Sequence, residues 1–367
     1  LRNNTDRSNN TAIGESSLRE NVNGARATAV GSGSLQNQNP ATDTDTYNVA
    51  VGYNAGNAIT TGVRNTILGA LAGDALTTGG RNVALGYVTL SADTLGSRAV
   101  AIGYEALGTQ NFTTATNNYN VGIGYSAGNV LTTGVQNTLI GGLVGDALTD
   151  ADYNVAIGYA SLTADTLGSK STAIGVGTLE SQNFTTATDS FNTAVGYTAG
   201  LSVTTGTNNT LIGGLAGDAL TTGTHNVAVG YNSLSSDTAG KFSVAVGGGA
   251  LEVQNSTTAT NVYNTGVGWV AGNAITTGTQ NTLIGGLAGD ALTVGFQNVA
   301  IGVDALSLDT AGNKSVAIGR SSLATQNFTS DTDGLNTAVG YFSGAQLTTG
   351  VNNTLIGALA GDAITDA

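Results

Sequence analysis

The stretch Asn192–Gly213 reads NTAVGYTAGLSVTTGTNNTLIG and carries one short motif twice: Asn, any residue, a small or aliphatic residue, an aliphatic residue, Gly. Its two motif glycines are Gly196 and Gly213, a step of 17 along the chain. Outward from here the motif runs back to Gly14 and on to Gly357 in twenty copies, and its steps cycle through 17, 21, 17 and 17 without a slip. One full cycle is a step of 72, the spacing of Gly52, Gly124, Gly196, Gly268 and Gly340. A unit this short cannot enclose a core by itself and must bury its apolar surface against its neighbours, so the pattern predicts stacked coils.

With each motif glycine as position 0, the copies show what each place requires. Position −1 is always Ile, Val or Leu, and position −4 is Asn in fifteen coils. Position +4 follows a strict Leu-Leu-Gly-Gly rhythm, as in Leu162, Leu179, Gly200 and Gly217. β-Branched residues before a glycine predict a short strand. In Phe191–Tyr197 one face is bulky (Thr193, Val195, Tyr197) and the other small (Ala194, Gly196), and neither is charged. That predicts a strand buried on both sides, with the Ala/Gly side toward neighbouring chains. A second, Thr-rich strand facing water is expected over Leu201–Gly206. No segment keeps a helical period, so no helix is expected. The Asn column is expected to form an internal ladder of side-chain amides. The fold class predicted is therefore all-β: a parallel β-solenoid of about 20 coils of 17 or 21 residues, with residues 1–367 one continuous repeat region and a fragment of a longer fibre.

Composition agrees. There are 55 Gly, 1 Pro, 10% charged and 5% aromatic residues, with 40% hydrophobic residues overall. One Pro excludes collagen, and the apolar content excludes a disordered chain. A net charge of −13 argues against nucleic acid, whose phosphates need clustered Lys and Arg. No stretch is apolar enough for a membrane helix, so no membrane insertion of this segment is expected. Absence of Cys fits an extracellular place without proving it.

At these motifs the chain resembles the head repeats of YadA-type trimeric autotransporter adhesins, in segments such as Ser243–Gly247 (SVAVG) and Ser315–Gly319 (SVAIG). It is also similar to tail-fibre repeats that precede an intramolecular chaperone domain, in runs such as Gly206–Gly213 (GTNNTLIG) and Asn192–Gly200 (NTAVGYTAG). The resemblance spans essentially the whole chain. It implies a left-handed β-roll, a homotrimer, a cell or virion surface location, and a role in attachment. The coils are longer here than in the adhesin heads.

Signs of catalysis are lacking. The one histidine, His225, stands where sister coils hold Arg81, Tyr153 and Gln297, and reads as a solvated turn residue. Trp269 takes a place that is Tyr in Tyr53, Tyr125, Tyr197 and Tyr341, and is expected to serve packing. No enzyme activity is expected. Two acidic rows recur: Asp74, Asp146, Asp218 and Asp290 (with Asp362) in Gly-Asp-Ala, and Asp93, Asp165, Asp237 and Asp309 before Thr. The first row is a candidate Ca²⁺ site, because oxygen ligands at solenoid turns can hold that ion. A turn carboxylate capping backbone amides is favoured instead, and no cofactor is expected.

The longer coils carry their insertion in one place, giving segments Gln38–Thr46, Gln110–Asn118, Gln182–Ser190, Gln254–Val262 and Gln326–Gly334. Insertions on one face of a solenoid often bind partners. Asn111, Phe112, Asn183, Phe184, Asn327 and Phe328 are therefore the candidate receptor-binding residues, toward a cell-surface glycan. The alternative is that the Phe rings fold back onto the solenoid. The function expected is an extracellular attachment fibre segment; the alternative is a self-assembling structural filament without a receptor.

Overall fold

The computed structural model describes residues 8–366. They fall into two compact units. One runs to Gly177 and includes Asn183–Asp189; the other comprises Thr178–Gln182 and Ser190 onward. Each is a parallel β-solenoid with ten short motif strands, Thr11–Ile13 to Thr172–Ile174 in the first and Thr193–Val195 to Thr354–Ile356 in the second. There is no helix among the described residues. Register within each unit is in phase with the motif: Ala84 lies opposite Ala101, and Ala228 opposite Ala245.

The motif glycines enforce that stacking. All twenty adopt φ between +123° and +142°, which is strained for any side chain. Successive glycines also lie against one another's carbonyls: a Cβ on Gly230 would come within 2.5 Å of Gly247 O. Positions −5, +2 and +4 are left-handed as well, even where the residue is Val88, Val270 or Leu162. These bends redirect the N–H groups. Gly52 and Asn54 donate to the turn before, to Val30 O and Ser32 O, whereas Gly56 and Ala58 donate to the turn after, to Ala72 O and Asp74 O. Backbone groups are thus satisfied between turns, the motif strands by parallel sheet pairing and the bends beside them by bonds to the turn before or after.

The core explains the four-coil rhythm. Leu at +4 is buried, as in Leu90, Leu107, Leu234 and Leu251. Forcing Leu into the left-handed region costs roughly 1–2 kcal/mol, and burying it recovers about 1.5–3 kcal/mol. In the other two coils +4 is Gly because neighbours fill its space: a Cβ on Gly56 would lie 2.9 Å from Ile67 Cδ1 and 3.0 Å from Ile59 Cδ1. Position +7 is accordingly large in those coils (Ile59, Leu76, Leu131, Leu148) and polar in the Leu coils (Asp93, Gln110). The four-coil period is thus a packing period.

Three expectations are corrected. The Ala/Gly side of the motif strand faces the unit's own core, since Ala84, Ala101, Ala194 and Ala228 are fully buried. The bulky side is outward and half covered within the single chain. Leu201–Gly206 forms turns and no strand, and Thr204 Oγ1 donates to Thr221 O at 3.1 Å to tie one turn to the next. Trp269 is 65% exposed and, like Tyr53, Tyr125, Tyr197 and Tyr341 at the same repeat position, points outward, so it does not serve the core.

Gly230→Ala should lower the melting temperature sharply, with a loss on the order of 2–4 kcal/mol from backbone strain and the carbonyl clash together. Gly214→Ala, where the nearest atom to a Cβ is Tyr231 Cδ2 at 3.6 Å, should leave it near that of the parent. Thermal unfolding followed by circular dichroism checks the pair; equal melting temperatures would refute the stacking argument.

Candidate functional site

The Asn column lies inside each unit and joins turn to turn. Asn65 Oδ1 accepts the Asn82 backbone N–H at 2.9 Å, and its Nδ2 donates to Gly79 O at 3.0 Å. Asn209 does the same with Asn226 N–H and Gly223 O. Some amides also touch directly, as with Asn281 Nδ2 and Asn264 Oδ1 at 3.3 Å. The ladder is therefore chiefly amide to backbone.

Coils that lack this Asn hold Ala or Ser at −4 (Ala27, Ala99, Ser171, Ser243, Ser315), which leaves room for a glutamine at +7. Gln254 Nε2 donates to Ser243 Oγ at 3.0 Å and to Asp237 Oδ2 at 2.6 Å, while its Oε1 accepts from Asn264 Nδ2 at 2.9 Å. Gln326 repeats the set with Ser315, Asp309 and Asn336. In the first unit Gln110 links Asp93 Oδ2 at 2.7 Å to Asn120 Nδ2 at 2.8 Å. These aspartates are buried. Asp93 Oδ1 also accepts Gly96 N–H at 3.0 Å and Phe112 N–H at 3.1 Å. A carboxylate with three donors and no cation is a core element, and no local sequence signal points to its glutamine partner.

The first copy of this site supplies a control. There Asn21 stands in place of Asp, and Pro40, the chain's one proline, stands in place of the Phe whose N–H donates to the carboxylate. Gln38 Nε2 then has no hydrogen-bond partner, although Gln38 Oε1 still accepts from Asn48 Nδ2 at 2.8 Å. The charge is absent where one of its donors is absent.

The inserted segments are tied down at both ends. Asn111 N–H donates to Thr132 O, and Thr116–Asn117 pairs in parallel with Gly96–Ser97. Phe112, Phe184 and Phe328 are 5, 6 and 5% exposed. Phe328 lies over Gly312, where a Cβ would come within 2.7 Å of Cδ2. These rings cannot act as outward anchors; they fold back, because a glycine floor accommodates them. Asn111, Asn183 and Asn327 accept through Oδ1 the hydroxyls of Thr94, Thr166 and Thr310 at 3.0, 3.2 and 3.1 Å. They thereby end a ladder in which Thr77 Oγ1 donates to Thr94 O. What each loop displays is its tip: Thr113–Ala115, Thr185–Ala187 and Thr329–Asp331 include its exposed residues.

The Asp74, Asp146, Asp218 and Asp290 row is half-buried, and the Oδ1 atoms of Asp74, Asp218 and Asp290 are enclosed without a hydrogen-bond partner. Within one unit the members stand four turns apart, about 19 Å at a strand spacing of about 4.8 Å. Among the described residues no three Asp, Glu, His or Cys side chains converge. Each place thus offers one carboxylate toward an ion that takes six to eight oxygens. His225 is exposed, its ring tilted on Phe242 at 5.1 Å. The sequence matches no family model and no curated protein.

Burial raises the proton affinity of Asp93 and Asp309 above the ordinary carboxylate range, outweighing Gln110 or Gln326 and the backbone donors that oppose it. Burial likewise raises Asp74, Asp146, Asp218 and Asp290. In each case the folded state holds its proton more tightly than the unfolded chain. The stabilisation is therefore complete below the unfolded pKa and declines as pH rises through the raised folded values. Melting temperature should rise as pH falls from neutral toward the ordinary carboxylate value of 3.8; a fall as these groups take up their protons would contradict these directions. Separately, Asp309→Asn should cost about 1–3 kcal/mol by leaving Gln326 Nε2 facing a second amide donor, read from urea unfolding.

Proposed function

We propose that this chain is a segment of an extracellular attachment fibre: a self-associating solenoid scaffold that presents rows of short loops to a surface. One observation carries the reading. The recurrent polar side chains are committed to holding turn on turn, while what varies from coil to coil lies in exposed rows and loop tips. Such a body suits reach and display. Cell-surface glycan is the partner class proposed for the tips, through the hydroxyls of Thr113, Thr185 and Thr329.

Self-association follows from the outward strand face. Val or Thr at −3 and Ile, Val or Leu at −1 recur along it, and Ile212, Ile284 and Leu68 are among the exposed large side chains. Within each unit an apolar strip of this kind marks an interaction surface. A homotrimer packed through this face, and not through Ala and Gly, is the assembly proposed. Sedimentation should give three times the chain mass of 36.3 kDa; a species of 36.3 kDa that stays folded on dilution overturns it.

A second reading, a structural filament with no receptor, draws on the internal engagement of the loop Phe and Asn side chains. Cell retention separates the two. Replacing Thr113, Thr185 and Thr329 by Asp should preserve the assembly and reduce retention on cells severalfold. Unchanged retention, or none in the parent, would favour the filament.

A further inference from the structure

The sequence marks position −5 only as a turn. The structure makes it an outward row of residues in left-handed conformation, one per turn. Of the 11 Lys and Arg residues in the chain, six stand in it: Arg26, Arg64, Arg81, Arg98, Lys170 and Lys314. Three of these, Arg64, Arg81 and Arg98, occupy consecutive turns of the first unit. Arg81 N–H donates to Val63 O at 2.9 Å and Arg98 N–H to Gly80 O at 3.1 Å. The three bases are therefore spaced by single turns of about 4.8 Å.

Like charges at that spacing repel, and the chain elsewhere relieves the cost. Arg26 faces Asp45 at 3.5 Å, Lys170 Asp189 at 2.5 Å and Lys314 Asp333 at 2.6 Å, the acid coming each time from the end of the inserted loop. In the Arg98 copy that acid is Asn117. Positions equivalent to Arg64 are Gln136, Asn208, Gln280 and Asn352, all neutral. No carboxylate of the described residues forms an ion pair with Arg64, Arg81 or Arg98. Arg98 Nη1 donates to the Tyr119 hydroxyl at 2.8 Å with its guanidinium 5.3 Å from the ring centroid, and its Nε has no partner. A chain of net charge −13 therefore holds three adjacent bases without neutralising them, in a copy of the repeat that lacks the usual acid.

On the far side of the motif strands, at position +1 and offset by one turn from the bases, Tyr87, Tyr104 and Tyr125 form an exposed stack with centroids 5.7 and 5.5 Å apart. Between the rows lie the outward residues of Val83–Leu85 and Val100–Ile102, part of the face proposed to pack in the trimer, so bases and tyrosines form its two opposite rims. Each rim repeats at the rise of one turn, and the basic one stands clear of the strand face.

We propose that this basic rim binds a linear anionic polysaccharide, with one carboxylate or sulfate met by each of Arg64, Arg81 and Arg98. Guanidinium pairs bidentately with such planar or tetrahedral anions. A sugar chain advances by a length close to one turn, so charge meets charge without bending. Duplex nucleic acid fits poorly: three bases neutralise too few phosphates to overcome the field of a strongly negative chain. The proposal rests on the attachment reading and gives it a ligand class.

The test uses the assembled chain with fluorescent heparin (sulfated), polygalacturonate (carboxylate only) and dextran (neutral). Binding of at least one polyanion, weakening as salt rises, and none of dextran are expected. The variant R64Q/R81Q/R98Q places at each site a residue that sister coils carry at this position, as in Gln136, Gln280 and Gln297, so folding and assembly should persist. Its affinity should fall at least about tenfold, a change of about 1.4 kcal/mol. Arg26→Gln removes a base already paired with Asp45 and should change affinity less than about twofold. The proposal is overturned if the parent binds neither polyanion at low salt, if the triple variant binds as well as the parent, or if Arg26→Gln is equally harmful. It is also overturned if the triple variant changes sedimenting mass, which would assign the bases to contact between chains. Retention on cells with no polyanion binding sinks this inference and leaves the attachment reading; polyanion binding without retention does the reverse.

Discussion

Every residue of a stacked coil meets the equivalent residue of the next at a single strand spacing, and the rest of the structure depends on that constraint. A side chain is acceptable only if it tolerates a near copy of itself directly above and below. Glycine at position 0 satisfies this by having nothing to clash, since a Cβ on Gly69 would meet Gly86 O at 2.0 Å. Asn at −4 satisfies it by being donor and acceptor at once, so that each amide closes a bond to the following turn. Ala at −2 does so by being small. A charge in the core cannot stack on itself, and it appears only once in four turns.

That spacing gives the buried Asp–Gln pair a structural logic. The Gly, Asn and Ala columns of successive turns are so alike that they alone would not resist a slip of one turn, which is opposed by the Leu and Gly alternation at +4 and by this pair. The pair raises the cost of a slip further. A slipped register would set Asp237 against a Leu or Ile at +7 and leave a buried carboxylate without Gln254 Nε2, where an unsatisfied charge is far costlier than a misplaced methyl. Asn21 and Pro40 show the same dependence from the other side: with one backbone donor gone, the site holds an amide instead of a carboxylate, and Gln38 Nε2 is left over.

Much of the fold was legible because period is a one-dimensional property. The alternation of shorter and longer coils and the Asn column carry directly into turns, strands and an internal ladder. Orientation was harder. Thr193–Val195 alternates large and small on either side, and nothing in the alternation says that the small side is the inner one; the narrow interior decides it, because Leu179, Val203 and Leu211 already crowd Gly200. Phe184 looks like a loop residue from its place in the insertion. Its burial depends on Gly168, earlier in sequence and in the preceding turn, a contact that no local pattern announces. The same holds for Gln254 and Asp237, one full coil apart and meaningful only as a pair.

The exposed rows follow a different rule from the core. Inside, the stacking constraint makes equivalent positions similar, so repeats look alike. Outside, water relaxes it, and position −5 ranges over Arg, Lys, Tyr, Phe, His, Gln, Asn and Leu while keeping one left-handed backbone. A bulky residue there gains nothing from its conformation, which Gly would adopt more cheaply. Its side chain must therefore contribute outside the solenoid or along the row. For Arg26, Lys170 and Lys314 the contribution along the row is visible as an ion pair with the inserted segment. For Arg64 and Arg81 no such pair exists among the described residues, and the strain of the backbone together with the repulsion of neighbours is left without an internal return. Variation on a fixed scaffold is thus where this chain carries what distinguishes one stretch of it from another.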